Sequence, residues 1–242
     1  MKLVVCRDGE ELAELASALF RDRVRQRPEL AIAAPAGRTP RRMYARMREL
    51  QAADPVDYSR VRIFSVDELC PPAPPEGYFW SQVRREFLDW AGVPEVRCRP
   101  FAVAAEDLHD MCRAYERAIE EAGGLDLVML GLGPNAHLAS NEPGSPFDSR
   151  VRPVPLLPQT VDYILTDGVN LAAAGGAASG LAVTLGLDTI ARAREVVVLV
   201  SGAAKRQALR RLLEAPVGPD VPATMLRLHH RCVVLADRDA AP

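Results

Sequence analysis

Long apolar runs are missing from this 242-residue chain. No stretch approaches the roughly 18 consecutive apolar residues that a membrane span needs, so no membrane-crossing helix is expected. The first apolar stretch, Leu3 to Cys6, is cut off by Arg7 and Asp8. It is too short and too polar for a secretory signal. Cysteine is scarce: five residues, Cys6, Cys70, Cys98, Cys112 and Cys232, are scattered and form no Cys-x-x-Cys pair. That spacing argues against a disulfide framework or a structural zinc site, so no metal or other cofactor is expected. Cys6 and Cys232 lie in strand-like apolar runs and read as core, which fits a reducing compartment, the cytoplasm. An excess of charge is also lacking, with 30 basic against 32 acidic residues and a net charge of −2. Such a balance leaves no electrostatic footprint for nucleic acid. Arg206, Arg210 and Arg211 share a helix face by their spacing and read as solvated surface.

What the chain does have is alternation. Strand-like patterns fall at Leu3–Cys6, Leu30–Ala34, Arg60–Val66, Leu125–Gly131, Glu195–Val200 and Arg231–Ala236. Helix-like patterns run from Glu10 to Arg25, with Leu12, Leu15, Ala16 and Leu19 at helical spacing, and from Tyr78 to Trp90, Met111 to Glu121, Gly180 to Arg192 and Ala203 to Glu214. Another helix opens at Thr39 and Pro40, with Thr39 as N-cap and Pro40 in the first helical position. Alternation of this kind predicts an α/β fold, a mostly parallel open sheet with helices on both faces, Rossmann-like in layout. No repeat or composition break divides the chain, so residues 1–242 are expected to form one domain. The Pro-rich stretch Pro71–Pro75 is expected as a loop and Gly175-Gly176-Ala177 as a turn or lid.

The most informative stretch is GLGPNAHLASNEPGS, from Gly131 to Ser145. A buried strand that empties into Gly-Leu-Gly-Pro presents pliable backbone and free N–H groups at its carboxyl end, where open α/β sheets place ligands. His137 can carry a proton near neutral pH, and Glu142 can hold its ring in place. Taken alone, the stretch reads equally well as a Gly-rich surface turn.

In its residues the run resembles the glucosamine-6-phosphate deaminase and 6-phosphogluconolactonase group of sugar-phosphate enzymes. Gly131, Gly133, His137 and Ala139 match the shared core of the motif. Asn141-Glu142-Pro143-Gly144-Ser145 and Ser149-Arg150-Val151-Arg152 match the deaminase continuation. Three further segments follow in family order: Ala36-Gly37-Arg38-Thr39-Pro40 resembles the phosphate loop, Phe64-Ser65-Val66-Asp67-Glu68 the Asp-Glu segment after a strand, and Ser201-Gly202-Ala203-Ala204-Lys205 the strand-Gly-x-x-Lys segment. The resemblance implies the sugar-phosphate isomerase type of fold and a small-molecule sugar phosphate as substrate. It casts Asp67 as the base that shuttles a proton between C2 and C1, His137 as the group that delivers a proton to the ring oxygen, and Glu142 as its partner. Gly37, Arg38, Thr39, Gly133 and Lys205 become candidates for holding the substrate, with backbone N–H groups and cations on the phosphate. From spacing alone Lys205 is an exposed helix lysine, Asp67 a turn-capping strand-end residue, and Glu68 surface charge.

Two departures stand out. Asn135-Ala136 replaces the family's Asp-Gly before the histidine. Asn135 can accept a hydrogen bond from the ring N–H but cannot support an imidazolium by charge, so His137 is expected to be a weaker proton carrier. The family also places an arginine just before the Thr-containing segment at Thr184, and no arginine occurs between Arg152 and Arg192. Phosphate binding then rests on Lys205, Arg38 and backbone groups. Val154 stands where effector-binding deaminases carry a lysine, so that regulation is not expected. The alternatives are a lactonase, favoured by Gly37-Arg38-Thr39-Pro40, and a catalytically weakened sugar-phosphate-binding regulator. No membrane or nucleic-acid partner is expected, and a homo-oligomer stays open.

Overall fold

The computed structural model describes residues 1–70, 76–166 and 180–242. The expected loop at Pro71–Pro75 and turn at Gly175-Gly176-Ala177 lie outside the described residues. In chain order the larger elements are β1 (Lys2–Cys6), α1 (Gly9–Gln26), β2 (Ala31–Ala34), α2 (Arg38–Gln51), β3 (Arg62–Ser65), β4 (Asp67–Cys70) and α3 (Tyr78–Val83). A π-helical turn (Arg84–Leu88) leads from α3 into α4 (Asp89–Ala91). There follow β5 (Cys98–Arg99), α5 (Leu108–Glu121), β6 (Leu127–Gly131), β7 (Arg152–Pro155), α6 (Pro158–Thr166), β8 (Leu181–Thr184), α7 (Leu187–Ala191), β9 (Glu195–Val200), α8 (Arg206–Glu214) and β10 (Cys232–Asp237).

Seven strands form one parallel sheet in the order β1-β10-β9-β6-β2-β3-β5. Period-two alternation sends successive side chains to opposite faces. Ile32 and Ala34 of β2 join α1, α2 and α3 in one buried layer, while Ala31 and Ala33 face the layer that contains α5, α7 and α8. Such strands are covered on both sides, which explains their unbroken runs of Val, Leu, Ile and Ala. Asp8 and Asp107 start α1 and α5 by accepting the N–H groups two and three residues ahead.

Three expectations need correction. Helix α2 is capped by Gly37, at φ 114°, and not by Thr39, which lies inside its first turn. The sharp turn out of β2 needs that left-handed-side backbone, which glycine adopts without a Cβ penalty. Pro40 is still tolerated because the first-turn N–H groups have no helical acceptor. The stretch from Gly180 to Arg192 is not one helix, because Leu181–Thr184 is a strand and only Leu187–Ala191 is helical. The strand wins because β8 finds antiparallel partners on both sides, β4 and β7, in a second, three-stranded sheet. Finally, Asp67 is not a turn-capping residue at a strand end: it opens β4, because after Val66 the chain crosses from β3 of the large sheet to β4 of the small one, and Leu185 N–H donates to Val66 C=O at 2.9 Å to pin the crossing.

The large sheet reverses its winding between β2 and β6. From β2 the chain proceeds to β3 and β5 on one side, and from β6 to β9 and β10 on the other. The carboxyl ends of β2 and β6 therefore diverge into loops that leave a crevice, the position at which open α/β sheets bind ligands.

Candidate active site

A cleft enclosing about 970 Å³, its open mouth included, lies at that reversal. Its wall is built from the loop after β2 (Gly37, Arg38, Thr39), the β3–β4 crossing (Asp67), the loop after β6 (Gly133, His137, Ser140), helix α6 (Thr160, Tyr163) and the turn after β9 (Lys205). Seven of the nine candidate residues named from the sequence line that wall, and the other two stand behind it: Asn135 bonds the main chain of His137, and Glu142 bonds Asn135.

Asp67 opens β4 and pairs with Thr184 of β8. Ser140 Oγ donates to its Oδ2 at 2.7 Å, and Ser140 N–H is itself held by Thr184 Oγ1 at 3.1 Å. Enclosure by the two sheets pushes the Asp67 pKa up to about 6, against the opposing pull of Ser140 and of His137 nearby. Its neighbour Glu68 is not surface charge. Alternation along β4 turns it inward, where it is buried and accepts the N–H groups of Leu69, Tyr78, Phe79 and Trp80 at 2.8–2.9 Å, closing the N-terminus of α3.

His137 is buried on the tight loop after β6, where Gly133 N–H donates to His137 C=O at 3.0 Å and Ala136 N–H to Gly133 C=O at 2.9 Å. The imidazole packs against Gly133. A Cβ there would sit 2.1 Å from ring atoms, so the position has room for glycine alone. Ala136 takes φ 67°, a left-handed conformation that an L-residue adopts at a cost of about 1–2 kcal/mol.

His137 Nδ1 lies 3.5 Å from Glu142 Oε2, beyond good hydrogen-bond geometry, and is a buried atom without another partner. Glu142 Oε1 accepts from Leu157 N–H at 3.2 Å, and Oε2 from Asn135 Nδ2 at 2.7 Å. Burial works against the charged form of Glu142, but His137, Thr160 and Asn135 together outweigh it and hold the pKa down at about 2. Asn135 does not serve the imidazole as expected. Its side-chain oxygen accepts the main-chain N–H of His137 at 3.2 Å, and its amide nitrogen is turned to Glu142. The ring faces Glu142 instead.

Gly37 N–H donates to Gln82 Oε1 at 3.0 Å. Lys205, in the 3-10 turn Ala203–Lys205, places Nζ 4.3 Å from the ring centroid of Tyr163, and Arg38 Cζ lies 5.8 Å from the same ring. Burial lowers the Lys205 pKa, Tyr163 pulls it back up, and Arg38 pushes it down again. Thus one cleft wall holds Asp67 and His137, with Glu142 behind the ring, and the cations Arg38 and Lys205. Sequence reasoning missed Ser140, Thr184, Tyr163 and Gln82. Ser140 lay inside the quoted run, but nothing local assigned it a partner. Among the described residues no group of three His, Cys, Asp or Glu is arranged to hold a metal ion, and no helix is long and apolar enough to cross a membrane.

Carboxylates, an imidazole and two cations at the winding reversal of a parallel α/β sheet are groups that an enzyme acting on a phosphorylated small molecule can use. The family of glucosamine-6-phosphate isomerases and 6-phosphogluconolactonases matches residues 9–235, and the chain belongs to it. The glucosamine-6-phosphate deaminase of Pseudarthrobacter chlorophenolicus is 34% identical over 243 residues, covering 100% of this chain and 92% of that protein. That of Shouchella clausii is 31% identical over 247 residues, covering 100% and 96%. Among solved structures, a monomeric glucosamine-6-phosphate deaminase superposes with a TM-score of 0.92 at 29% identity, covering 99% of this chain and 98% of that one. The 6-phosphogluconolactonase of Trypanosoma cruzi shares the fold at a TM-score of 0.76 and 23% identity.

Proposed function

We propose that the chain converts glucosamine 6-phosphate and water to fructose 6-phosphate and ammonia, as a single domain working without a cofactor in the cytoplasm. The observation that carries the reading is the placement of Asp67, a carboxylate whose pKa sits at about 6, in the same cleft as the His137–Glu142 pair. His137 delivers a proton to the ring oxygen as the pyranose opens, with the Glu142 carboxylate behind it to orient the ring. Asp67, ionised above pH 6, takes the proton from C2 and returns it to C1. Water then adds at C2 and ammonia leaves. Lys205, Arg38 and the N–H groups at the start of α2 hold the phosphate dianion. Five buried, unpaired thiols fit a reducing compartment.

The second reading is lactone hydrolysis, favoured by the position of Arg38 and Thr39 in the cleft wall. The two are separated by giving the purified protein glucosamine 6-phosphate and 6-phosphogluconolactone in parallel. Ammonia and fructose 6-phosphate in equal amounts are expected. Lactone loss without ammonia would replace the deaminase reading, and turnover of neither would leave the sugar-phosphate-binding regulator.

A further inference from the structure

Helix α6 turns Thr160, Tyr163 and Ile164 toward the cleft. Thr160 and Tyr163, three residues apart, lie on one face of it and both line the wall. Thr160 is buried beside the His137–Glu142 pair. The ring of Tyr163 is within cation–π range of both Lys205 and Arg38. Those two cations repel one another across the ring they share. With Nζ 4.3 Å from the ring centroid, the ammonium and the phenol line the same stretch of the wall, where a bound dianion would meet both. The cation that the family pattern expects between residues 152 and 192 is absent.

Building on the sugar-phosphate activity proposed above, we propose that Tyr163 is a specificity-determining residue that completes the phosphate end of the cleft. Its ring holds the Lys205 ammonium and the Arg38 guanidinium over the cleft. Its hydroxyl supplies a third, neutral donor beside two charged ones. A phosphate oxygen accepts more than one hydrogen bond, so the three groups do not compete for it. A neutral donor suits the site because a third cation would add to the repulsion already felt by Lys205. No group on the sugar ring would gain from this arrangement, so Tyr163 reads the phosphate and not the amino sugar.

The test compares the parent with Tyr163→Phe and Tyr163→Leu. Binding of inorganic phosphate is followed by calorimetry, and KM and kcat are measured on glucosamine 6-phosphate and on unphosphorylated glucosamine. Losing one neutral hydrogen bond corresponds to about 0.5–1.5 kcal/mol, so Tyr163→Phe is expected to weaken phosphate binding by roughly 2–12-fold. Tyr163→Leu also removes the aromatic face and is expected to weaken it further. Both variants should raise KM for the phosphorylated substrate by more than they lower kcat, and leave glucosamine unaffected. Unchanged phosphate affinity in Tyr163→Phe and Tyr163→Leu overturns the proposal. So does an equal loss on the two substrates. If Tyr163→Leu fails to fold, Tyr163→Phe, which keeps the ring, decides alone. If the parent binds phosphate but releases no ammonia, the deaminase reading fails while the calorimetric comparison still decides the role of Tyr163.

Discussion

Replacing Asn135 by aspartate would change the charge of the site while scarcely altering its shape. Asn135 Nδ2 donates to Glu142 Oε2 at 2.7 Å, so an aspartate in the same rotamer brings two carboxylates face to face. With charge centres about 4 Å apart and an effective dielectric near 20, their repulsion is about 4 kcal/mol. That corresponds to about 3 pKa units. The parent keeps Glu142 ionised down to about pH 2. In Asn135→Asp the pair would instead share one proton well into the neutral range.

The consequence is a pH-dependent stability difference. A carboxyl whose folded pKa is raised keeps its full stability below the unfolded value, about 4, and loses it as the pH rises through the folded value. Asn135→Asp should therefore be nearly as stable as the parent near pH 4–5 and weaken against it by up to about 1.4 kcal/mol per pH unit above that. The total approaches about 4 kcal/mol before levelling. Asp67 titrates in both proteins and cancels in the difference. Urea unfolding at pH 5, 6, 7 and 8, followed by the fluorescence of Trp80 and Trp90, measures it; Trp80 is buried and reports directly. A stability difference constant across that range would mean that residue 135 does not face Glu142.

Asp67→Asn should keep its circular dichroism spectrum and lose a factor on the order of 10²–10⁴ in kcat. In the parent, kcat/KM should fall as the pH drops through about 6, because the base must be ionised. Ser140→Ala removes a hydrogen bond that lowers the Asp67 pKa, so the same limb should move to higher pH in a rate profile. Lys205→Ala should raise KM for the phosphorylated substrate by roughly 10–150-fold, the equivalent of about 1.5–3 kcal/mol for a charged hydrogen bond, and leave an unphosphorylated analogue unaffected. Gly133→Ala should displace the His137 ring, since the added Cβ overlaps it, and cut kcat while the NMR resonances of His137 shift.

The parallel core was legible because its strands are buried on both faces and its helices carry apolar residues at helical spacing. Strands β1, β2, β3, β6, β9 and β10 all fall within a residue or two of the segments their patterns mark. The small antiparallel sheet was not legible. Its strands β4, β7 and β8 are four residues each, and β7 contains two prolines that hide its strand character. β8 merges with α7 in a single apolar run, and the break between them is Gly186, where a Cβ would meet Ser149 C=O at 2.1 Å. That approach is a tertiary fact with no local signature.

The same hidden sheet explains why the site was only half readable. Motif order brought Asp67, His137, Glu142 and Lys205 to light, but not the reason that Asp67 and Glu68, adjacent in the chain, have different roles. Alternation along β4 sends one into the cleft and the other under α3. Pairing with β8 decides which goes where, because Thr184 lies opposite Asp67 and also positions the Ser140 hydroxyl that bonds it. Burial raises both carboxyls, Glu68 to about 7 and Asp67 to about 6. They differ in what they face: four backbone N–H groups engage Glu68, whereas Asp67 receives a single hydroxyl and lines the cleft. A base must reach the proton it takes, and only Asp67 is placed to do so. That placement is set by a strand far from Asp67 in sequence, which no reading of the Asp-Glu segment alone could supply.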